Sequence, residues 1–194
     1  MSEPRNEKGQ TLSEFLADYD ISVFPRPSVT ADNIILTHVG GKRAILLIKR
    51  RNHPFIGCWA FPGGFMEPDE ELSDGAKREL MEETGVTGIT PVQLGAYGRP
   101  HRDPRGWIIT VAFISELPDD AKIKAADDAK DAALFTIDVE KNSVTLTHSV
   151  TNEKLVLPVS IKDGHAEFIP VEGFAGDHPQ ILIDALIKLG MIKK

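Results

Sequence analysis

Apolar and polar residues follow two different periods along this chain, and each period predicts its own kind of element. The stretches "VTADNIILTHV" and "RAILLIKR" are rich in branched apolar residues and flank the turn "GGK", which predicts a β-hairpin. Similar runs, "ITPVQLGAYG", "GWIITVAFIS" and "ALFTI", predict further strands. Residues 138–171 alternate in short runs around the turns "TNEK" and "KDG", which predicts a three-stranded meander.

Helical spacing marks the N-terminal part of the chain. Thr11 and Glu14 have the spacing of a capping box, which starts a helix. The apolar face of that helix comprises Leu12, Phe15 and Leu16. The prolines of "FPRPSV" then favour an extended chain. We therefore expect residues 1–27 to form a helix and an extended lead-in to the main domain.

A second amphipathic helix is predicted at the other end, in "DHPQILIDALIKLG". Asp177 suits its N-cap and Gly190 its end. Many strands with few helices are typical of an α+β domain whose helices cover a mixed sheet. We expect this domain to span residues 28–194, with the meander as an insertion at about 138–171.

The third predicted helix, residues 72–84, carries the acidic stretch "RELMEETG" and ends at Gly85. At about 100° per residue, Glu79, Glu82 and Glu83 occupy an arc of about 100°, and Glu83 borders the buried face. Like charges three or four residues apart cost about 0.2–0.5 kcal/mol per pair. The stretch is therefore either an acidic face in water or a site for a cation.

Composition and charge argue against several classes of protein, namely nucleic-acid-binding, secreted and membrane-spanning ones. The chain has 194 residues, 41% of them hydrophobic, with a net charge of −7 and one cysteine, Cys58. The negative charge argues against a nucleic-acid surface. A single cysteine permits no internal disulfide and suits a reducing compartment. The start "MSEPRNEKGQ" lacks the apolar core of a signal peptide, and no apolar run reaches the length of a membrane span. We expect a cytoplasmic protein without a membrane or nucleic-acid partner.

The stretch "GFMEPDEELSDGAKRELMEETGV" resembles the Nudix box, G-x5-E-x7-R-E-U-x-E-E-x-G-U, where U is a bulky aliphatic residue. The matching positions are Gly64, Glu70, Arg78, Glu79, Leu80, Glu82, Glu83, Gly85 and Val86. The segment "LLIKRRNHPFIGCWAFPGGF" is similar to the strand and loop that precede this box. "HRDPRGWIITVAF" and "DHPQILIDAL" are similar to later parts of ADP-ribose-cleaving Nudix proteins. The resemblance covers roughly 28–138 and 174–190.

The resemblance implies an α/β/α sandwich with a mixed sheet and a hydrolase that cleaves a nucleoside diphosphate derivative at its pyrophosphate bridge. It implies Mg²⁺, with Mn²⁺ as a possible substitute, held by Glu79, Glu82, Glu83 and a backbone carbonyl, which we assign to Gly63. Arg78 would orient a glutamate. Oxygen ligands around a cation that neutralises phosphate charge suit this chemistry.

Several acidic residues outside the three helix positions are further candidates. Glu70 fits a role in supporting the loop better than a role as a metal ligand. The resemblance leaves the general base open between Glu82 of the box and a later carboxylate, because some branches of the family take the base from a later loop. Asp127, Asp128 and Glu116 are the candidates there, although each also fits a solvated surface charge.

Arginines outside the box are candidates for contacts with substrate, since guanidinium groups bind phosphate bidentately. The loop "RPHRDPRGW" contributes Arg99 and Arg105, and Arg51 follows the second strand of the hairpin. Trp107 starts an apolar strand, so we expect it in the core. Asp177 and His178 are interpreted as helix-start residues.

ADP-ribose, cleaved to AMP and ribose 5-phosphate, is the substrate that the resemblance favours. One alternative is the removal of oxidised nucleoside triphosphates such as 8-oxo-dGTP. A second is a non-catalytic, ADP-ribose-sensing regulator, which would carry a DNA-binding winged helix behind the Nudix domain. The alternating strands after residue 138 and the complete box favour the enzyme. The family also implies a homodimer, with residues 1–27 or the meander in the contact.

Overall fold

The computed structural model describes residues 3–117 and 132–193. The helices are α1 (Leu12–Asp18), α2 (Leu72–Thr84) and α3 (His178–Lys188), with a 3₁₀ turn at Ile21–Val23. The strands before α2 are β1 (Ser28–Val39), β2 (Lys42–Lys49), β3 (Trp59–Ala60) and β4 (Gly63–Phe65). The strands after it are β5 (Val92–Tyr97), β6 (Ile108–Glu116), β7 (Ala132–Val139), β8 (Ser143–His148), β9 (Lys154–Pro158), β10 (Ile161–Lys162) and β11 (His165–Ala166).

One mixed sheet organises the molecule, in the order β5-β6-β1-β2-β7-β8-β9. Strands β1 and β2 form the predicted hairpin, while β1 and β6 run parallel with Asp32 opposite Ala112. The short strand β4 pairs antiparallel with the first part of β1, where Gly63 lies opposite Asp32. This pairing brings the loop that precedes α2 against the start of the sheet.

The two faces of the sheet are covered by different helices. Ile34 and Leu36 of β1 belong to the same buried cluster as Ile181 of α3. Ile35, between them, packs in a second cluster with Leu80 of α2. Because successive side chains of a strand point to opposite faces, α3 and α2 lie on opposite sides of the sheet. The expected α/β/α sandwich is confirmed.

The meander differs from the prediction. β8 and β9 pair antiparallel and extend the main sheet beyond β7, so that β7, β8 and β9 are its consecutive strands. The third predicted strand, "HAEFIPV", shrinks to β11, which pairs only with the two residues of β10. The amide of Ala166 there donates to the buried carboxylate of Asp184 in α3, at 2.7 Å. A helix side chain thus takes the hydrogen bond that a longer sheet ladder would need.

The N-terminal helix forms where its capping box predicts. The Glu14 amide donates to Thr11 Oγ1 at 3.2 Å, and the Thr11 amide donates to Glu14 Oε2 at 2.7 Å. All residues of α1 are exposed, including its apolar face. Within residues 3–117 and 132–193, no helix is both long and apolar enough to cross a bilayer.

Candidate active site

Helix α2 places the acidic residues against the loop that carries β4. The helix ends at Gly85, whose φ of 70° gives the left-handed cap that the sequence predicts. At its middle, Glu79 packs directly against the backbone of Gly64. A Cβ atom on Gly64 would lie 2.4 Å from the Glu79 carboxyl carbon. Glycine at this position therefore allows the carboxylate to approach the loop.

Arg78 joins the loop to the helix through three carboxylates. Its Nη2 lies 2.7 Å from Glu70 Oε1 and its Nη1 lies 2.8 Å from Glu79 Oε1, whereas Glu82 Oε2 is 3.5 Å away. Glu70 also accepts from the Glu67 amide at 2.7 Å, and the hydrogen bond from Arg78 lowers the pKa of Glu70. Glu70 thus holds the loop in place, and Arg78 fixes the orientation of Glu79.

Glu83 is the most deeply placed carboxylate of the helix. Its Oε2 accepts from the Gly63 amide at 2.8 Å. Burial raises the pKa of Glu83 to about 8, against the lowering effect of that hydrogen bond, and the nearby charges of Glu79 and Asp32 raise it further. Burial also raises the pKa of Glu79, although Arg78 opposes the shift. A partly buried carboxylate pair of this kind favours a proton or a cation nearby.

Two pockets adjoin these carboxylates. The outer pocket lies between the end of β2 and the end of α2, and its polar lining comprises Lys49, Arg50, Arg51, Asn52, Glu82 and Glu83. The inner pocket lies between β1, β4 and the start of α3, and its main lining residues are Thr30, Asp32, Phe61, Arg102, Arg105 and His178. Arg50 lines both pockets and is held by a 2.7 Å hydrogen bond from its Nε to the Pro54 carbonyl. The two pockets therefore meet at a guanidinium group.

Oxygen ligands for a divalent cation are present on α2, although not as a closed cage. In the part of the chain that the structure describes, no three His, Cys, Asp or Glu side chains already converge on one point. Mg²⁺ does not need such a cage, since it commonly binds one or two carboxylates, several waters and substrate phosphates. Glu79, Glu82 and Glu83, with Gly63 beside them through its hydrogen bond to Glu83, fit this open kind of site.

Comparison with known proteins decides the family. The NUDIX domain profile matches residues 27–155, which is more than half of the chain. This chain belongs to the NUDIX family. The match continues beyond residue 138, into β8 and β9, so the family covers part of the meander as well as the residues that carry the resemblance.

Three relatives illustrate the range of the family around this chain. The ADP-ribose pyrophosphatase of Methanocaldococcus jannaschii is 43% identical over 115 residues, which are 59% of this chain and 65% of that protein. The ADPR responsive transcriptional repressor NtrR of Acinetobacter baylyi is 42% identical over 103 residues, 52% of this chain and 41% of that protein. This chain thus spans 65% and 41% of the two relatives. A MutT/nudix family protein from Enterococcus faecalis superposes with a TM-score of 0.78 at 32% identity, over 95% of this chain and 71% of that chain.

The predicted substrate-binding arginines occupy three different environments in this NUDIX domain. Arg51 lines the outer pocket and Arg105 the inner pocket. Arg105 is paired with Asp103 at 2.8 Å, and this hydrogen bond raises its pKa. Arg99 instead lies over the ring of Phe168, 4.1 Å from its centroid. Among the residues that the structure describes, Arg99 lines neither the outer nor the inner pocket.

Of the candidate bases outside the NUDIX box, only Glu116 is among the described residues, and it lines neither of the two pockets. Glu116 is the last residue of β6, whereas Asp32 is opposite Ala112 in the middle of that strand. The side chain of Glu116 is paired with Arg43. Asp127 and Asp128 lie outside the described residues. The expectation of a buried Trp107 is wrong: its side chain is 55% exposed, because β6 begins only at Ile108 and Trp107 still belongs to the loop.

Sequence reasoning missed Asp32, Asp177 and His178 as residues of the inner pocket. Asp32 is a buried carboxylate in β1, close to the apolar run of residues 34–36, which is a signal in itself. Asp177 is the N-cap residue of α3 and His178 its first residue, as predicted, but both side chains also line the pocket. Arg102 binds Asp177 through two hydrogen bonds, and that pair could be found only from the tertiary structure.

Proposed function

We propose that this protein is a Mg²⁺-dependent hydrolase that cleaves the pyrophosphate bond of ADP-ribose to give AMP and ribose 5-phosphate. The observation that carries the proposal is the outer pocket, where Glu82 and Glu83 lie across from Arg50 and Arg51. Carboxylates suit a divalent cation, and guanidinium groups suit phosphate oxygens. A pocket with both is suited to an anhydride between two phosphates.

Glu79 and Glu83, with the Gly63 carbonyl, are the primary residues that would hold Mg²⁺ or Mn²⁺, and Glu82 would act as a further ligand or as the base. When bound, the cation supplies neutralisation of phosphate charge and activation of water. The burial that raises the pKa of Glu83 to about 8, and that raises the pKa of Glu79 against the effect of Arg78, favours a cation beside these two carboxylates. Mn²⁺ accepts the same oxygen ligands.

The remaining residues have separable roles in this proposal. Arg78 holds Glu79 in its orientation from one side, while Glu70 holds Arg78 from the other. Glu82 is exposed and lines the outer pocket, so it can accept the proton of an attacking water. Arg50 and Arg51 would bind phosphate oxygens and neutralise the charge of the diphosphate.

ADP-ribose is favoured as the substrate for two reasons. The Methanocaldococcus jannaschii relative, 43% identical over 115 residues, is an ADP-ribose pyrophosphatase. The inner pocket also adjoins the outer pocket at Arg50, on the side where a group attached beyond the diphosphate would lie. A nucleoside triphosphate substrate, such as 8-oxo-dGTP, has no second sugar to occupy that pocket.

Regulation by ADP-ribose is the second candidate function, because the chain is 42% identical over 103 residues to a repressor described as ADPR responsive. The acidic balance of −7 favours the enzyme, since specific DNA binding depends on cationic contacts with phosphate. We therefore propose that the protein does not bind nucleic acid. A cytoplasmic location is a further part of the proposal. A tight, sequence-dependent gel shift that responds to ADP-ribose would favour the regulator instead.

A homodimer is part of the same proposal and is supported by the exposed N-terminal segment. This segment presents Leu12, Phe15, Leu16, Tyr19, Ile21, Val23 and Phe24 to solvent. Contiguous apolar surface of this kind marks interaction sites. Light scattering should give a dimer mass for the wild type and a monomer mass for Phe15→Glu. Val92→Glu, at an exposed apolar position of β5 outside residues 1–27 and the meander, is the matched control and should leave the mass unchanged.

A substrate panel tests the catalytic proposal. ADP-ribose, 8-oxo-dGTP and NADH are incubated with the protein and Mg²⁺, and the phosphate-containing products are identified. We expect AMP and ribose 5-phosphate from ADP-ribose, with the highest kcat/KM of the three, and no turnover in EDTA. A preference of tenfold or more for the triphosphate, about 1.4 kcal/mol of discrimination, would reject ADP-ribose. Full activity in EDTA would reject the metal.

A further inference from the structure

Two buried polar side chains face each other across the inner pocket without reaching hydrogen-bond distance. His178 Nε2 and Asp32 Oδ2 are 4.0 Å apart, and the side chains of these residues are only 13% and 11% exposed. A direct N–H···O hydrogen bond would need about 2.7–3.2 Å. The gap is therefore one that a third polar atom can bridge.

The hydrogen bonds of His178 decide which of its nitrogens carries the proton. The Phe61 amide donates to His178 Nδ1 at 3.0 Å, so Nδ1 is an acceptor. The ring also stacks on Phe61, with the centroids 4.6 Å apart, and its burial lowers the pKa of His178. The imidazole is therefore neutral, and its only N–H is at Nε2, directed towards the gap.

Asp32 is fixed on the other side of the gap. Thr110 Oγ1 donates to Asp32 Oδ2 at 2.6 Å, through the parallel pairing of β1 and β6. A carboxylate has about four lone-pair sites, so this one hydrogen bond leaves it able to accept more. The gap thus has a fixed donor on one side and a fixed acceptor on the other.

We propose that the inner pocket binds the hydroxyl groups of a sugar, with His178 as the donor and Asp32 as the acceptor. This inference rests on the proposed function, and it assigns the terminal ribose of ADP-ribose to this pocket. A single hydroxyl oxygen about 2.8 Å from both atoms would accept from Nε2–H and donate to Oδ2.

Other ligand groups fit the gap less well. A phosphate group carries no proton to donate to Asp32 and is repelled by its charge. An ammonium group cannot accept from His178. An adenine edge has both a donor and an acceptor, but two of the three phenylalanine rings that line the pocket are already covered, Phe61 by His178 and Phe65 by Arg105. Arg50 lies where the inner and outer pockets meet, so it would bind the diphosphate and direct it towards the outer pocket and α2.

Ligand binding to the metal-free protein tests the assignment without catalysis. Calorimetric titrations use ribose 5-phosphate, AMP and methyl phosphate with the wild type, Asp32→Asn and Asp138→Asn. Asp138 is an exposed aspartate paired with Lys42, and it serves as the matched control. We expect ribose 5-phosphate to bind the wild type at least tenfold more tightly than methyl phosphate. Asp32→Asn should remove that advantage, and Asp138→Asn should retain it.

The comparison of ribose 5-phosphate with methyl phosphate needs no variant, so it decides the question even if Asp32→Asn does not fold. Equal binding of the two probes by the wild type would overturn the proposal. Tighter binding of AMP than of ribose 5-phosphate, lost in Asp32→Asn, would assign the pocket to the base and would also overturn it.

Kinetics with two substrates separate this inference from the proposed function. An alkyl ester of ADP carries the same anhydride as ADP-ribose but no second sugar. Asp32→Asn should lower kcat/KM at least tenfold for ADP-ribose and less than threefold for the ester. An equal loss for both would make Asp32 part of the common chemistry and reject a role in sugar recognition. If the wild type cleaves neither compound, the proposed function fails, and the binding titrations still decide the assignment of the pocket.

Discussion

Arg102 and Asp177 form a buried, two-point ion pair between residues 75 positions apart. Arg102 Nε and Nη2 both lie 2.7 Å from Asp177 oxygens, and the two side chains are 6% and 4% exposed. Burial alone would lower the pKa of Arg102, but the hydrogen bonds and charge of Asp177 outweigh it, so the pKa is raised. The pair ties the loop before β6 to the first turn of α3.

Truncation of either side chain of this pair should therefore strongly lower the free energy of unfolding. Arg102→Ala leaves Asp177 buried without its counter-charge, and we expect a loss of about 3–5 kcal/mol in the free energy of unfolding. Arg102→Lys keeps the charge but not the two-point geometry, so it should fall between the wild type and Arg102→Ala. Urea unfolding monitored by circular dichroism measures both.

Arg105→Ala is the matched control for that series. Arg105 lies in the same loop and also pairs with an aspartate, but its side chain is far more exposed. Its removal should cost about 1 kcal/mol or less. Equal losses for the two alanine variants would show that the buried pair has no special role in stability.

Glu83 should make the stability of the metal-free protein depend on pH. Its pKa is about 8 in the folded protein against 4.5 as the ordinary value. Between these values the folded protein binds a proton that the unfolded chain releases, so the free energy of unfolding falls as pH rises from about 4.5 to about 8. Glu83→Gln cannot ionise and should show a flatter curve, with a higher melting temperature than the wild type at pH 9 in EDTA.

Added Mg²⁺ should narrow that difference. A ligand of the native state raises stability by about 2.7 kcal/mol at a hundred times its Kd. The melting temperature of the wild type should therefore rise more in saturating Mg²⁺ at pH 9 than that of Glu83→Gln. Asp138→Asn should follow the wild type in both buffers. A wild type whose melting temperature rises no more than that of Glu83→Gln would contradict a role of this carboxylate in metal binding.

A comparison of Glu82→Gln with Glu83→Gln should separate proton transfer from metal binding. Glu82→Gln is expected to lower kcat by about 10²–10⁴-fold, the usual contribution of a general base. Its Mg²⁺-induced rise in melting temperature should persist, because Glu79 and Glu83 are intact. Glu83→Gln should lose both activity and the thermal shift. If Glu82→Gln loses the shift as well, Glu82 belongs to the metal ligands rather than to proton transfer.

Gly64 should tolerate no side chain. Gly64→Ala would place a methyl group 2.4 Å from the Glu79 carboxyl carbon, so either the loop or the carboxylate must move. We expect a smaller Mg²⁺-induced thermal shift and at least a tenfold loss of kcat/KM. Gly95→Ala is the control, because a Cβ atom there has open space around it. Wild-type activity in Gly64→Ala would remove the close approach of Glu79 from the account of the site.

The sequence predicts the two halves of this site unequally. Glu79, Glu82 and Glu83 are placed by the period of a single helix, so their common face follows from spacing alone. The inner pocket draws Asp32 from β1, Arg102 from a loop and His178 from α3. Only the order of the strands brings such distant segments together, and periodicity carries no information about that order. Trp107 was misjudged for a related reason, since an apolar residue at the edge of a strand can belong to the loop.

The parallel pairing of β1 with β6 has a consequence for the kinetics of refolding. The hairpin of β1 and β2 is joined by a tight turn, whereas the contact between Asp32 and Thr110 spans 78 residues. Closing the longer loop costs more chain entropy, and sheets dominated by distant pairings form slowly. During refolding from urea, the far-ultraviolet circular dichroism signal of strand formation should therefore begin to recover before the protein regains its capacity to bind ribose 5-phosphate.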